Sequence, residues 1–159
     1  MPSSESGPVS YPSMHILLVE DNPAEARLTQ EALRESGLQH ELAIVTDGEM
    51  ATDYVRNENG FADAPMPNLI LLDLNLPRKN GREVLRDLKS DPCLSMIPVI
   101  VVTNSTSPED VEAVYRLKGN SYLSKPETLD GLFSAMRSLV DFWCLRAQLP
   151  ARFSPSLNL

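Results

Sequence analysis

Residues 69–81 read Leu-Ile-Leu-Leu-Asp-Leu-Asn-Leu-Pro-Arg-Lys-Asn-Gly. The stretch opens on four aliphatic residues and then meets a single acid, Asp73. A run this short and apolar, with no polar alternation, reads as a strand buried on both faces. From Gly81 the spacing changes: Val84, Leu85 and Leu88 recur at helical intervals and the segment ends before Pro92. Similar short runs lie at 15–19, 41–45, 97–102 and 121–123.

Helical spacing fills the gaps between them. Asn22-Pro23 opens the first helix, a cap followed by proline at the first helical position, and Gly37 ends it after Ala24, Leu28, Ala32 and Leu33. The second spans about 47–56, with Met50, Ala51, Tyr54 and Val55 as its apolar positions. The fourth begins at Ser107-Pro108-Glu109-Asp110, a cap, a proline and two acids that suit the helix dipole. The fifth runs from about Thr128 to Leu145. Residues 57–67, with Gly60, Pro65 and Pro67, read as a longer loop. Five strands alternating with five helices imply an α/β fold, a parallel sheet covered by helices on both faces with right-handed crossovers.

Composition narrows the function. The chain has 159 residues, enough for one domain with a sizeable core. It carries 14 Lys and Arg against 22 Asp and Glu, a formal charge of −8. Such a surface is a poor partner for nucleic acid or an anionic membrane. No apolar run approaches a membrane span. Residues 1–13 hold nine Ser, Pro or Gly and resemble neither core nor signal peptide, so a disordered tail is expected there. Cys93 and Cys144 are far apart and fit a reducing, cytoplasmic setting. His15 and His40 belong to no ligand-like cluster.

In an open parallel sheet, ligands bind beyond the carboxyl ends of the strands. Glu20 and Asp21 follow the first run, Asp73 the third, Thr103 ends the fourth and Lys125 follows the fifth. Three acids converging on one buried edge repel each other, and a divalent cation such as Mg²⁺ relieves that repulsion. A carboxylate beside such a cation can attack phosphorus, with Lys125 and Thr103 available to the phosphoryl oxygens.

The motifs Val-Glu-Asp-Asn (19–22), Leu-Leu-Asp-Leu-Asn-Leu-Pro-Arg-Lys-Asn-Gly (71–81), Val-Val-Thr-Asn (101–104) and Tyr-Leu-Ser-Lys-Pro (122–126) resemble the receiver domain of two-component response regulators over about 14–142. The resemblance implies a flavodoxin-like, CheY-like sheet in the order 2-1-3-4-5. It makes Asp73 the phosphoacceptor. Glu20, Asp21, Asp73 and the backbone carbonyl of Asn75 would hold Mg²⁺, and Lys125 would contact the phosphoryl oxygens. Thr103 and Tyr122 would form the switch, although an aromatic at 122 serves equally as core. Pro126 would follow a cis bond, and Pro77 and Gly81 would shape the turn after the acceptor strand. The domain would span 14–145, with 146–159 as a C-terminal extension.

The chain ends sixteen residues after Trp143, too few for a fused output domain, so output by protein contact is expected. Leu129, Leu132, Phe133, Met136, Val140 and Trp143 share one helix face. Phe142 falls off that face beside Ala135 and suggests a partner surface. A homodimer through the last strand, last helix and tail, including Leu149, Phe153 and Leu157, is the expectation. Asp-Phe-Trp…Leu-Pro (141–150), Asn-Ser-Tyr-Leu-Ser-Lys-Pro (120–126) and the long loop are similar to regulators paired with bacterial phytochromes, which implies a light-sensing histidine kinase as partner, its specificity read near 24–28. Two other classes compete. A phosphorylation-independent receiver-fold adaptor would have no use for converging acids. A phosphatase with an aspartate nucleophile would want a second acid at position 75, where this chain has Asn75.

Overall fold

The computed structural model describes residues 13–150. Apart from Ser13, the expected N-terminal tail lies outside the described residues, as do residues 151–159 of the expected extension, with Phe153 and Leu157.

Strands β1 (Met14–Val19), β2 (His40–Val45), β3 (Leu69–Leu72), β4 (Val99–Thr103) and β5 (Ser121–Ser124) form one parallel sheet in the order β2-β1-β3-β4-β5. Helices α1 (Pro23–Glu35), α2 (Gly48–Arg56), α3 (Gly81–Ser90), α4 (Pro108–Arg116) and α5 (Leu129–Val140) connect and follow them. The expected doubly wound order is therefore the observed one. The caps are side chains that accept from the first free backbone N–H groups: Asn22, Asp47, Asn80, Ser107 and Thr128 for the five helices in turn.

The pleat of the strands divides the core. Leu17, Val19, Ile70, Leu72, Val99 and Val101 point to one face, where α2, α3 and α4 bring Tyr54, Val55, Leu85, Leu88 and Val114. Ile16, Leu18, Leu69, Leu71, Ile100 and Val102 point to the other, against Leu33 of α1 and Leu132, Met136 and Val140 of α5. Strands buried on both faces have no room for alternation, and the apolar runs follow from that.

Some boundaries differ from the sequence reading. The fourth strand begins at Val99 rather than 97, because Pro98 has no N–H for the ladder and gives only its carbonyl, to the Ile70 N–H at 3.0 Å. The last helix is α-helical only to Val140 and continues as a π-helical turn over Asp141–Arg146, in which the Ala147 N–H reaches the Phe142 carbonyl at 2.7 Å. Extrapolating 100° per residue therefore stops being valid at Asp141. Leu129, which shares the apolar face of the last helix, is 63% exposed: it is the first residue of α5, one turn ahead of Leu132, where burial begins. Phe142 is exposed as expected, at 55%, while Trp143 is half-buried against the α1/α5 core. Both thiols are free, and burial pushes that of Cys144 up to about 12. No described helix is long and apolar enough to cross a membrane.

Register positions the chemistry. Val19 pairs with Leu72, so the Asp73 N–H donates to the Val19 carbonyl at 3.1 Å. The Glu20 N–H donates to the Val45 carbonyl at 3.0 Å, and the Lys125 N–H to the Thr103 carbonyl at 2.7 Å. The turn after β3 folds back so closely that a Cβ on Gly81 would stand 2.3 Å from the Asp73 carbonyl oxygen. Only a residue without a side chain fits there. Gly81→Ala should therefore lower the unfolding free energy by about 1–3 kcal/mol, read as a shifted urea midpoint at unchanged slope.

Candidate phosphoacceptor and cation site

Asp73, Glu20 and Lys125 meet at the carboxyl edge of the sheet because β1, β3, β4 and β5 lie side by side and end together there. Asp73 and Glu20 are buried, and the Lys125 side chain is only 3% exposed. The Lys125 ammonium donates to Asp73 Oδ2 at 2.8 Å, Glu20 Oε2 at 3.1 Å and Glu25 Oε2 at 2.5 Å. Asp73 Oδ1 accepts the Asn75 N–H at 3.1 Å and Glu20 Oε1 the Asn22 N–H at 3.2 Å.

Burial raises the Glu20 pKa to about 8; the Lys125 charge opposes this, and the Asp73 charge and Glu25 reinforce it. Burial also pulls Lys125 down. The Asp73 and Glu25 carboxylates bonded to its ammonium, with the charges of Asp73 and Glu20, outweigh that and hold it above its ordinary value. One cation thus faces three acids, and the surplus is negative.

Carboxylate oxygens of Glu20, Glu25 and Asp73 lie within 4.8 Å of one another. They adjoin an open cleft of about 400 Å³ that Asp21, Asn75 and Asn104 also line. An all-oxygen donor set with excess negative charge fits a hard divalent cation that keeps some of its waters. Asp21 is exposed on the cleft and stands outside the tight trio. Glu25 takes the place beside Lys125 that the sequence reading did not assign. Its signal was present: it follows Asp21 by four residues, on the first turn of a helix whose cap, Asn22, directly follows that acid.

Thr103 is wholly buried, and its Oγ1 accepts the Ser105 N–H at 3.5 Å, a weak bond. The Ser105 carbonyl accepts the Tyr122 hydroxyl at 2.7 Å and that of Ser124 at 3.3 Å. The Ser105 hydroxyl donates to Asp110 on α4, which is paired with Arg82 on α3. Ser105 therefore joins Thr103, Tyr122 and α4; its place after Thr103 put it beside the site, but its contact with Tyr122, seventeen residues on, has no local signal. Tyr122 is half-buried and packs on the α2/α3/α4 core.

The cis bond expected before Pro126 is absent; the peptide is trans. Trans is the intrinsically favoured form by about 0.5–1 kcal/mol. Lys125 is held without help from the isomer, by its N–H on Thr103 and its ammonium on three carboxylates. Pro77 lies in the turn as expected, its carbonyl accepting the Lys79 N–H at 2.8 Å, and Gly81 donates to the Leu74 carbonyl at 2.9 Å.

At the far end of the sheet, Ala135, Phe142 and Trp143 line a groove of about 230 Å³ with Ile100, Leu123 and Leu139. Phe142 and Trp143 stack edge to face, centroids 5.4 Å apart.

The response regulator receiver domain family matches residues 16–137. The response regulator Rcp1 of Synechocystis sp. is 46% identical over 142 residues, covering 89% of this chain and 97% of that protein. The crystal structure of the phosphorylated cyanobacterial phytochrome response regulator RcpA superposes with a TM-score of 0.85 at 47% identity, over 87% of this chain and 99% of that one. The Mn²⁺-bound form of Rcp1 gives the same TM-score, 0.85, and coverage, at 46% identity. With a matching sheet order and a buried acid–lysine cluster where its strands end, the chain belongs to the response regulator receiver domain family.

Proposed function

We propose that this protein is a phosphorylation-dependent signalling switch: Asp73 takes a phosphoryl group from the histidine of a sensor kinase in a reaction that needs Mg²⁺. The observation that carries this is the ammonium of Lys125 bonded to Asp73 in a buried cluster beside an open, acid-lined cleft. An Asp73 oxygen attacks phosphorus as the bond to the donor breaks, leaving an aspartyl phosphate. Lys125 neutralises the phosphoryl oxygens from one side. Glu20, Asp21, Asp73 and the Asn75 carbonyl would hold Mg²⁺, which supplies charge neutralisation on the other. Thr103, at the end of β4, would be the hydroxyl that turns toward the new phosphate. Its movement would loosen the Ser105 N–H bond and so reach Tyr122 and α4.

Relatives named as phytochrome response regulators match over nearly the whole domain, which supports a phytochrome-type histidine kinase as donor, in a reducing, cytoplasmic setting. The exposed Phe142 beside the Ala135 groove supports a homodimer through β5, α5 and the residues after them. Residues 14–145 would form the receiver, with 146–159 extending that interface.

Three outcomes are expected. Incubation with acetyl phosphate and Mg²⁺ should add one phosphoryl group by intact mass, and neither Asp73→Asn nor the metal-free protein should take it up. Mg²⁺ should raise the melting temperature more at pH 8.5 than at pH 6.5, because below a Glu20 pKa of about 8 a proton competes with the cation. Phe142→Glu should convert a dimer into a monomer in sedimentation at micromolar concentration, and a monomeric wild type would remove the dimer from the proposal.

A further inference from the structure

An ammonium has three N–H donors, and all three of Lys125 are engaged by carboxylates. A phosphoryl oxygen can reach that ammonium only after one carboxylate lets go. Asp73 and Glu20 each have a second anchor, a backbone N–H on the other oxygen. The Glu25 carboxylate has no backbone N–H on its oxygens; its partners are the Lys125 ammonium and the side chain of Glu20 beside it. Its side chain is 20% exposed and borders the cleft by which a donor would enter. Its backbone N–H is capped by Asn22 at 3.2 Å, so the side chain can swing without unwinding α1.

We propose that Glu25 is a positioning residue that restrains Lys125 against phosphoryl transfer: its carboxylate occupies the N–H a phosphoryl oxygen needs, and this ion pair opens as Asp73 is phosphorylated. This rests on Asp73 being the phosphoacceptor. In the step itself, an Asp73 oxygen forms a bond to phosphorus, the phosphorus–oxygen bond of acetyl phosphate breaks, and acetate leaves with that electron pair. The incoming group is anionic, so Glu25 opposes it twice, by holding the lysine and by like-charge repulsion. Glu25 thereby sets how readily the protein accepts phosphate from an indiscriminate small donor.

The test is Glu25→Gln, which keeps shape and removes charge. The initial rate of Asp73 phosphorylation by acetyl phosphate at saturating Mg²⁺ should rise roughly three- to tenfold, the scale of one like charge removed from a partly solvated site. The Mg²⁺ dissociation constant, by calorimetry, should rise by no more than roughly tenfold, because the same lost charge also faces the cation. Glu25→Asp keeps a charge beside Lys125 and should stay nearer the wild-type rate. An unchanged or slower rate in Glu25→Gln, or equal acceleration in both variants, overturns the restraint. So does a Mg²⁺ affinity weakened by roughly a hundredfold or more, beyond the effect of one lost charge, which would make Glu25 a cation ligand. A wild type that takes up no phosphoryl group on Asp73 overturns the function proposed above. A phosphorylated wild type with an unaccelerated Glu25→Gln overturns the restraint alone.

Discussion

The ion cluster around the Lys125 ammonium holds the functional edge of this molecule together. Three strand ends and the first turn of a helix deliver one cation and three acids into a space where water is scarce. Each acid alone would be costly to bury. With the lysine they are satisfied, and no described buried side-chain polar atom lacks a partner. The pairing is incomplete in charge, and that imbalance suits the site to a divalent cation and raises the Glu20 pKa. Removing one partner of such a cluster costs about 3–5 kcal/mol, because the remaining charges stay buried without compensation.

The sheet makes the cluster rigid. Its central strands are buried on both faces by two separate apolar cores, so β1, β3 and β4 cannot slip by a residue without turning every side chain to the wrong side. That fixes Asp73 against Val19 and Lys125 against Thr103. The loops beyond the strands are less constrained. The weak Ser105–Thr103 bond, the Tyr122 hydroxyl on the Ser105 carbonyl and the Asp110–Arg82 pair link the site to α4 through polar contacts rather than packing. A stiff sheet with a polar, adjustable loop at its edge is a construction in which a small change at the site can be felt on a distant helix.

Much of this was legible in the chain. Strand β3 was read to the residue, since a quartet of aliphatics ending in an acid has one sensible meaning in a parallel sheet. The caps Asn22 and Ser107 and the stop at Gly37 were legible because they act locally. Periodicity failed where geometry changed: the π-helical turn after Val140 ended the 100° progression, and Leu129 sits ahead of the turn that reaches the core. The proline isomer was carried over by resemblance, and the peptide before Pro126 is trans instead.

The sequence by itself determined the alternation of strands and helices, the acids and the lysine at the strand ends, and their order. These depend on neighbours in the chain, through burial, caps and periodicity. Only the tertiary structure decided that Glu25 joins Lys125 while Asp21 stays on the open cleft, and that Ser105 connects Thr103, Tyr122 and α4. Those are contacts between residues up to a hundred positions apart, set by how side chains compete for a few buried hydrogen-bonding sites. No local pattern records the outcome of that competition.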